Sequence, residues 1–224
     1  MATVYYIGDS TVTFNRISTY PQQGMSNVLS LFLQSSHNAV PFGYNGRSTK
    51  SFLDEGLWQP VSEGLKSGDF LLIQFGHNDE KADPFRHTDP DTTFKENLRC
   101  FITTAPGKGA YPILHTPIAR RLFDADGHFL PGSHGEYPRA IRELGAEMKV
   151  PVIDLTAITE GYLNQLGDEA SKVLFVWPVD NTHLKFEGAV TLVRFWAQEM
   201  IRLGSPYSDI IEPLDDRFDR RGEI

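Results

Sequence analysis

Residues 69–76 (DFLLIQFG) form a nearly unbroken apolar run that follows Gly68 and ends at Gly76. A strand with one solvent-facing side alternates apolar and polar residues, and this run does not alternate. It is also shorter than most buried helices. The run therefore predicts a strand that is buried on both faces, which is typical of a parallel sheet with helices on each side.

Strand and helix patterns alternate along the rest of the chain. Further strands are predicted at residues 3–8, 39–44, 111–114 and 150–155. Apolar residues at helical spacing predict helices at 25–35, 49–66 (interrupted near 58–60), 91–104, 137–148, 157–166 and 186–203. Five strands that alternate with helices predict an α/β fold in three α/β/α layers, with a five-stranded, mainly parallel sheet.

The chain length of 224 residues fits a single domain. We expect this domain to span residues 1–204, followed by a C-terminal tail at 205–224 that is rich in charged residues and proline. The only cysteine, Cys100, cannot form an internal disulfide, and we expect it to be a small buried apolar group.

Charge and hydropathy exclude several kinds of partner. The formal net charge of −8 argues against nucleic acid, because phosphate binding needs clustered Lys and Arg. No segment approaches the roughly 18 apolar residues of a membrane span, so no membrane partner is expected. The first residues enter a strand at once, without a basic and apolar leader, which predicts a cytoplasmic protein. These features do not predict the oligomeric state.

Metal and cofactor motifs are also missing from the sequence. The chain has no glycine-rich phosphate-binding motif and no zinc-ligand spacing, so we expect neither a cofactor nor a metal. The segment with His77, Asp79, Glu80 and Asp83 is interpreted as a solvated loop, although these side chains can bind metals. Residues 124–127 (DADG) are interpreted as a turn, because their glycine does not stand where a calcium-binding loop requires it.

Three short polar motifs follow the first three predicted strands. Ligands of open parallel sheets bind beyond the carboxyl ends of the strands. We therefore expect the three motifs to face one crevice. They are Gly8-Asp9-Ser10, Asn45-Gly46 and Gly76-His77-Asn78.

Ser10 can act as a nucleophile only if a base activates its hydroxyl. His183 stands just before the last predicted helix, and Asp180 precedes it by three residues, a spacing that lets a carboxylate reach imidazole Nδ1. The N–H groups of Ser10 and Gly46 and the amide of Asn78 could then stabilise an oxyanion. Taken singly, each of these residues also fits an ordinary role as a helix cap, a turn residue or a surface histidine.

Together, these residue types in this chain order resemble the SGNH (GDSL-type) hydrolase superfamily. The resemblance implies a flavodoxin-like sheet, a catalytic triad of Ser10, His183 and Asp180, and an oxyanion hole of Ser10, Gly46 and Asn78. Longer stretches resemble the rhamnogalacturonan acetylesterase family, at residues 9–12 (DSTV), 45–52 (NGRSTKSF), 75–79 (FGHND), 116–121 (TPIARR), 134–138 (HGEYP) and 180–184 (DNTHL).

The family resemblance implies a serine esterase without a metal, which removes acetyl groups from pectin-derived, rhamnogalacturonan-type oligosaccharides. Arg47 and Arg120 could bind the uronate carboxylates of such a substrate, or form ordinary surface ion pairs. Phe14, Tyr44 and Trp177 could stack on sugar rings, although core packing is the expected role.

Three alternative functions stay open on the sequence alone. The first is a general GDSL-type esterase or lipase, and the second is an acetylxylan-like deacetylase. The third is a non-catalytic carbohydrate-binding protein, which is disfavoured because a binding module needs no Ser, His and Asp in this arrangement.

Overall fold

The structure is a computed structural model that describes residues 1–214. Five strands in this part of the chain form one sheet in the order β2-β1-β3-β4-β5, and every neighbouring pair is parallel. The predicted five-stranded parallel sheet is confirmed. The strands are β1 (Thr3–Gly8), β2 (Asn38–Gly43), β3 (Phe70–Gln74), β4 (Tyr111–His115) and β5 (Val152–Ile153).

Helices cover the sheet on both faces. Within residues 1–214 the α-helices are α1 (Thr49–Asp54), α2 (Gln59–Gly64), α3 (Thr93–Gly107), α4 (Tyr137–Met148), α5 (Leu155–Ser171) and α6 (Phe186–Leu203). The bounds of α4 and α6 are those that the apolar spacing predicts. The path of α5 breaks at Gly167, where φ is +77° and is not helical, so its regular part ends where the predicted helix ends.

Strand β3 explains the apolar run from which the fold was predicted. Phe70 and Leu72 face the apolar cluster that contains α5 and α6. Leu71 and Ile73 face a second cluster, which contains α1 to α4. All five residues of β3 are buried, because the strand lies in the middle of the sheet with helices on both sides.

The helix predicted at residues 25–35 is wrong. This segment forms two short 3-10 helices, Met25–Asn27 and Leu29–Leu31. In an α-helix the N–H of Gln34 would donate to the carbonyl of Ser30, but here it donates to the carbonyl of Ile210. The N–H groups of Leu31 and Phe32 donate three residues back, to Val28 and Leu29, as in a 3-10 helix. The apolar residues of the pattern are buried as a helix face would be, at Met25, Val28, Leu29, Phe32 and Leu33.

Cys100 is exposed, which corrects the expectation of a buried thiol. It lies on α3, and the inward face of that helix is formed by other positions. The buried residues of α3 are Phe94, Leu98, Phe101, Ile102 and Ala105. Position 100 therefore falls on the outer face, and the partial burial that remains raises the pKa of the thiol.

The chain packs against the fold again after α6. The N–H of Gln34 donates to the carbonyl of Ile210, and the N–H of Glu212 donates to the carbonyl of Phe32. Ile210 and Ile211 are buried. The domain boundary at residue 204 stays a prediction, and the part of the predicted tail at residues 215–224 lies outside the described residues.

Within residues 1–214, no helix combines the length and the apolar character that crossing a membrane would require.

Candidate active site

Ser10 stands two residues after the carboxyl end of β1, where the backbone turns sharply. A Cβ on Gly8 would overlap the carbonyl oxygen of Gln74 in β3, so only glycine fits there. The turn is held by Asp9, whose Oδ1 accepts from the N–H and the hydroxyl of Thr11 at 2.9 and 2.8 Å. Burial raises the pKa of Asp9, although these two hydrogen bonds oppose the shift.

The structure brings Ser10, His183 and Asp180 into one chain of contacts. Ser10 Oγ lies 2.9 Å from His183 Nε2, and His183 Nδ1 lies 2.7 Å from Asp180 Oδ2. These distances fit the tautomer that carries its proton on Nδ1 and leaves Nε2 to accept the hydrogen of the hydroxyl. The arrangement can therefore perform nucleophilic catalysis with a general base.

Asp180 is fixed by the loop that carries it. Its Oδ1 accepts from the N–H groups of Thr182 and His183, both at 2.7 Å. Burial alone would raise the pKa of Asp180, but hydrogen bonds from the backbone and ring of His183 and from the backbone of Thr182 bring that pKa below its usual value. The carboxylate is therefore ionised at neutral pH and can stabilise a protonated imidazole.

Arg121 is buried and contacts the loop that carries Asp180 and His183. Its buried guanidinium lies 4.5 Å from the centre of the Trp177 ring, three residues before Asp180. Its backbone N–H donates to the carbonyl of Asn181 at 2.8 Å. The segment with Asp180 and His183 is thus tied to the chain that follows β4.

The three predicted oxyanion donors, Ser10, Gly46 and Asn78, line one cleft. Within residues 1–214, the backbone N–H groups of Ser10 and Gly46 donate to no protein acceptor. Gly46 has a φ of +78°, and a Cβ there would meet no atom within 4 Å. Glycine is therefore required for the left-handed backbone, and not because neighbouring protein atoms would obstruct a side chain. The third donor is the amide of Asn78.

The first residues of the segment after β3 are buried, which corrects the interpretation as a solvated loop for His77 and Asp79, whereas Lys81 and Ala82 further along are exposed. His77 and Asp79 are 3% and 0% exposed. The His77 ring packs edge-on against the ring of His134, with 4.3 Å between their centres, and burial holds its pKa well below the usual value. The position of Asn78 is thereby set by buried neighbours on both sides in the sequence.

Asp79 connects the two segments that contain the predicted oxyanion donors Gly46 and Asn78. Its Oδ1 accepts from the N–H of Thr49 at 3.0 Å and from the hydroxyls of Thr49 and Thr88 at 2.5 and 3.0 Å. Thr49 is the first residue of α1, three residues after Gly46. Burial raises the pKa of Asp79 to about 7 in spite of these donors. The carboxyl group ties the segment of Gly46 to that of Asn78.

A cleft of about 400 Å³ joins these groups. It contains the predicted triad and the side chains or backbone of the predicted oxyanion donors. The residues that line it are Ser10, Gln22, Asn45, Gly46, His77, Asn78, Lys81, Arg86, Arg120, Asp180, Thr182 and His183.

The two arginines predicted to bind substrate differ in their placement. Arg120 lines the cleft, and its guanidinium donates to Glu80 and to the carbonyl of Ser133. Arg47 is outside the set of described residues that line the cleft. Its guanidinium pairs with Glu55, with 2.8 Å between Nη2 and Oε2.

The three aromatic residues expected in the core are on the surface. Phe14, Tyr44 and Trp177 are 51%, 39% and 40% exposed. Each lies within six residues of a predicted site residue in sequence: Phe14 after Ser10, Tyr44 before Gly46 and Trp177 before Asp180. Their exposure corrects the expectation that they pack in the core.

Lys81 and Arg86 are cleft residues that sequence reasoning missed. They follow Asn78 in an irregular segment where neither apolar periodicity nor a motif distinguishes them from surface cations.

Asp124, Asp126 and His128 form the one group of metal-capable side chains found within residues 1–214, and all three are exposed. Asp124 Oδ1 accepts from the N–H groups of the other two, as expected for a turn.

Comparison with known proteins decides the family. A profile of the GDSL-like lipase/acylhydrolase family matches residues 6–188. The chain belongs to this family. As a GDSL-like hydrolase it is a carboxylic ester hydrolase, and the predicted membership of the SGNH superfamily is confirmed.

Two proteins of Bacillus subtilis show which members of the family this GDSL-like hydrolase resembles. The rhamnogalacturonan acetylesterase RhgT of Bacillus subtilis is 38% identical over 218 residues, which cover 92% of each protein. The probable rhamnogalacturonan acetylesterase YesY of the same species is 34% identical, over 93% of this chain and 96% of its own. The predicted resemblance to the rhamnogalacturonan acetylesterase family is confirmed by these matches.

A solved structure, that of the Bacillus subtilis protein YxiM, superposes with a TM-score of 0.81 and 27% identity. The match covers 92% of this chain and 57% of the longer YxiM chain, so the GDSL-like hydrolase spans little more than half of that protein.

Proposed function

We propose that this chain is a serine carbohydrate esterase in which Ser10 is the nucleophile, His183 the general base and Asp180 the residue that orients the imidazole. The observation that carries the proposal is the 2.9 Å distance between Ser10 Oγ and His183 Nε2. The two residues are 173 positions apart in the chain, and yet they meet at hydrogen-bonding distance. Such a contact activates a hydroxyl, and a binding module has no need of it.

The reaction follows from these contacts. His183 takes the proton of Ser10 as the hydroxyl oxygen attacks the acetyl carbonyl carbon. The oxyanion accepts hydrogen bonds from the N–H groups of Ser10 and Gly46 and from the amide of Asn78. The protonated imidazole then gives its proton to the departing sugar oxygen, which leaves an acetyl group on Ser10. Water, activated by the same imidazole, hydrolyses this ester and restores the hydroxyl.

Acetylated rhamnogalacturonan-type oligosaccharides are the substrate class that we propose. The names of the two Bacillus relatives support it. The cleft supports it as well, because a uronate carboxylate needs a cation in a chain with a net charge of −8. Lys81 lines the cleft and forms no ion pair within the described residues. We propose Lys81 as the main carboxylate contact. Arg120 and Arg47 are weaker candidates, because Glu80 and Glu55 already pair with them.

Covalent labelling tests the nucleophile. An organophosphonate should label the wild-type protein at Ser10 and should not label Ser10→Ala. Ser10→Ala and His183→Ala should each lose nearly all turnover and keep the wild-type melting temperature. His128→Ala is the matched control, since it removes another histidine that pairs with an aspartate, and it should keep full turnover. Label at another residue, or wild-type turnover in either triad variant, would contradict the proposal.

Acetate release from a panel of esters tests the substrate class. The panel contains acetylated pectic oligosaccharides, acetylated xylan fragments, and the acetyl and octanoyl esters of 4-nitrophenol. We expect the highest kcat/KM for the pectic oligosaccharides. Lys81→Met should raise KM for these acidic substrates and leave 4-nitrophenyl acetate unaffected. Faster release from xylan fragments or from the octanoyl ester would favour one of the alternative functions instead.

The expected cytoplasmic location leads to a finer proposal about substrate length. An enzyme inside the cell would meet imported oligosaccharides, and it would not meet intact polymer. Its kcat/KM should therefore be higher for short acetylated fragments than for long pectin chains. Activity confined to long chains, or enzyme found only outside fractionated cells, would contradict this proposal.

A further inference from the structure

The side-chain amide of Asn78 is hydrogen-bonded at both of its ends. Nδ2 donates to the backbone carbonyl of Arg47 at 3.1 Å, and Oδ1 accepts from Nη1 of Arg86 at 3.2 Å. An amide nitrogen carries two N–H bonds. One N–H of Asn78 therefore remains for a ligand in the cleft, which both Asn78 and Arg86 line.

These two partners allow only one orientation of the amide. A rotation by 180° would turn Oδ1 towards the carbonyl of Arg47 and Nδ2 towards the guanidinium of Arg86. Neither pair could form a hydrogen bond, because a carbonyl has no donor and a guanidinium has no acceptor. The rotated amide would also present an acceptor where the oxyanion develops, and that would destabilise the transition state.

Arg86 is itself held in place by Asp83. Nε and Nη2 of Arg86 lie 2.9 and 2.7 Å from Oδ2 of Asp83. The backbone N–H of Arg86 donates to Oδ1 of the same carboxylate at 3.1 Å. Nη1 is then the nitrogen that reaches Asn78. A donor anchored in this way can order its acceptor, which a freely rotating side chain cannot do.

We infer that Arg86 is a positioning residue, which fixes the Asn78 amide so that an N–H points at the oxyanion. The inference rests on the proposed function, in which Asn78 is an oxyanion donor. Arg86 contacts no reacting atom in this arrangement, and its effect on turnover passes through Asn78.

A double-mutant cycle tests the inference. The substrate is 4-nitrophenyl acetate, which has no carboxylate, so that recognition of a uronate plays no part. Asn78→Ala should lower kcat by about 10² to 10³-fold. Arg86→Met should lower kcat about tenfold with little change in KM. Arg86→Lys should recover part of this loss, because an ammonium group can still donate to Oδ1. In the Asn78→Ala background, neither change at Arg86 should have a further effect.

The control is Arg202→Met. Arg202 also pairs with a carboxylate three residues earlier, Glu199, but it lies on α6 and does not line the cleft. This variant should keep the wild-type kcat. The melting temperature of every variant is measured as well. If Arg86→Met does not fold, Arg86→Lys replaces it in the double-mutant cycle.

The possible failures are distinguishable. A loss from Arg86→Met that is equally large with and without Asn78 would overturn the inference and leave Asn78 as an oxyanion donor. A raised KM with unchanged kcat would mark Arg86 as a substrate-binding residue and would overturn it as well. Wild-type turnover in Asn78→Ala alone would instead refute the proposed oxyanion hole, and the inference with it.

Discussion

The Ser10 side chain is almost enclosed, since only 7% of the residue is exposed. Its hydroxyl lies against the imidazole of His183, so water competes little for the same hydrogen bond. Asp180 is less enclosed, but three hydrogen bonds from its own loop hold it in place. The Ser10 hydroxyl is therefore ordered by burial and the Asp180 carboxylate by local hydrogen bonds.

Asp180→Asn should lower kcat by about 10³ to 10⁴-fold without unfolding the protein. The amide would place an N–H opposite Nδ1, which favours the tautomer with its proton on the wrong nitrogen. Turnover of 4-nitrophenyl acetate and the melting temperature measure the two effects. Asp124→Asn removes the carboxylate of another aspartate and histidine pair, in an exposed turn, and should change neither. A wild-type kcat in Asp180→Asn would show that the carboxylate does not orient the imidazole.

The raised pKa of Asp79 predicts the sign of one pH dependence in the stability of the protein. Burial raises its pKa to about 7 in the folded protein, while an unfolded chain loses this proton near pH 4. Between these values the folded state holds more protons, so its stability falls as the pH rises, by at most about 1.4 kcal/mol per pH unit. Asp79→Asn should lose this part of the slope. Urea unfolding at pH 5, 6 and 7 measures it, and equal slopes in both proteins would contradict the assignment.

Asp180 acts in the opposite direction and in a more acidic range. Its pKa lies below the usual value in the folded protein. Its contribution to stability is therefore complete above about pH 4 and is lost as the pH falls through the lowered value.

Glycines inside α4 and α5 predict opposite effects of the same substitution. A Cβ on Gly145 of α4 would overlap the Val152 side chain and lie 3.1 Å from the carbonyl of Val150, whereas a Cβ on Gly161 of α5 would meet no atom within 4 Å. Gly145→Ala should destabilise the protein by about 1–3 kcal/mol through overpacking. Gly161→Ala should stabilise it by about 0.5–1 kcal/mol through helix propensity. Urea unfolding measures both, and equal effects would contradict this packing.

Elements whose apolar pattern is decided by burial alone were predicted well. β3 is buried on both faces and α4 and α6 on one, so composition and spacing were sufficient to predict them. The segment at 25–35 has the same apolar spacing, but the N–H of Gln34, which a helix would pair with Ser30, donates to the carbonyl of Ile210. A pattern along one segment contains no information about such distant acceptors, so the predicted helix was wrong.

The candidate site was predictable to a similar degree. Ser10, Gly46 and Asn78 follow strands, and the parallel topology that the sequence predicts brings them to one edge. The role of Arg86 depends on a hydrogen bond to an amide eight residues earlier in an irregular segment. The burial of His77 depends on packing against His134, which is distant in sequence. Neither feature leaves a periodic signal in the chain.

Two apolar clusters lie on opposite faces of the sheet, and residues 205–214 add to one of them. Ile210 and Ile211 belong to the cluster that contains α5 and α6. We therefore expect this part of the predicted tail to unfold together with the rest of the protein.

Ile211→Ala should reduce the free energy of unfolding by about 2–5 kcal/mol, because it leaves a cavity in that cluster. Ile17→Ala is the matched control, since Ile17 is 88% exposed, and it should change stability by no more than about 0.5 kcal/mol. Chemical denaturation of both variants measures the difference. If Ile211→Ala were as stable as the control, residues 205–214 would be a separate tail.

The 173 residues between Ser10 and His183 also bear on how the site comes together during synthesis. Ser10 leaves the ribosome 173 residues before the imidazole that it contacts in the folded protein. On the proposed mechanism, a growing chain therefore carries an unactivated serine until His183 has been made and has folded against it. Ester cleavage is then a property of the folded chain and of no fragment that ends before His183.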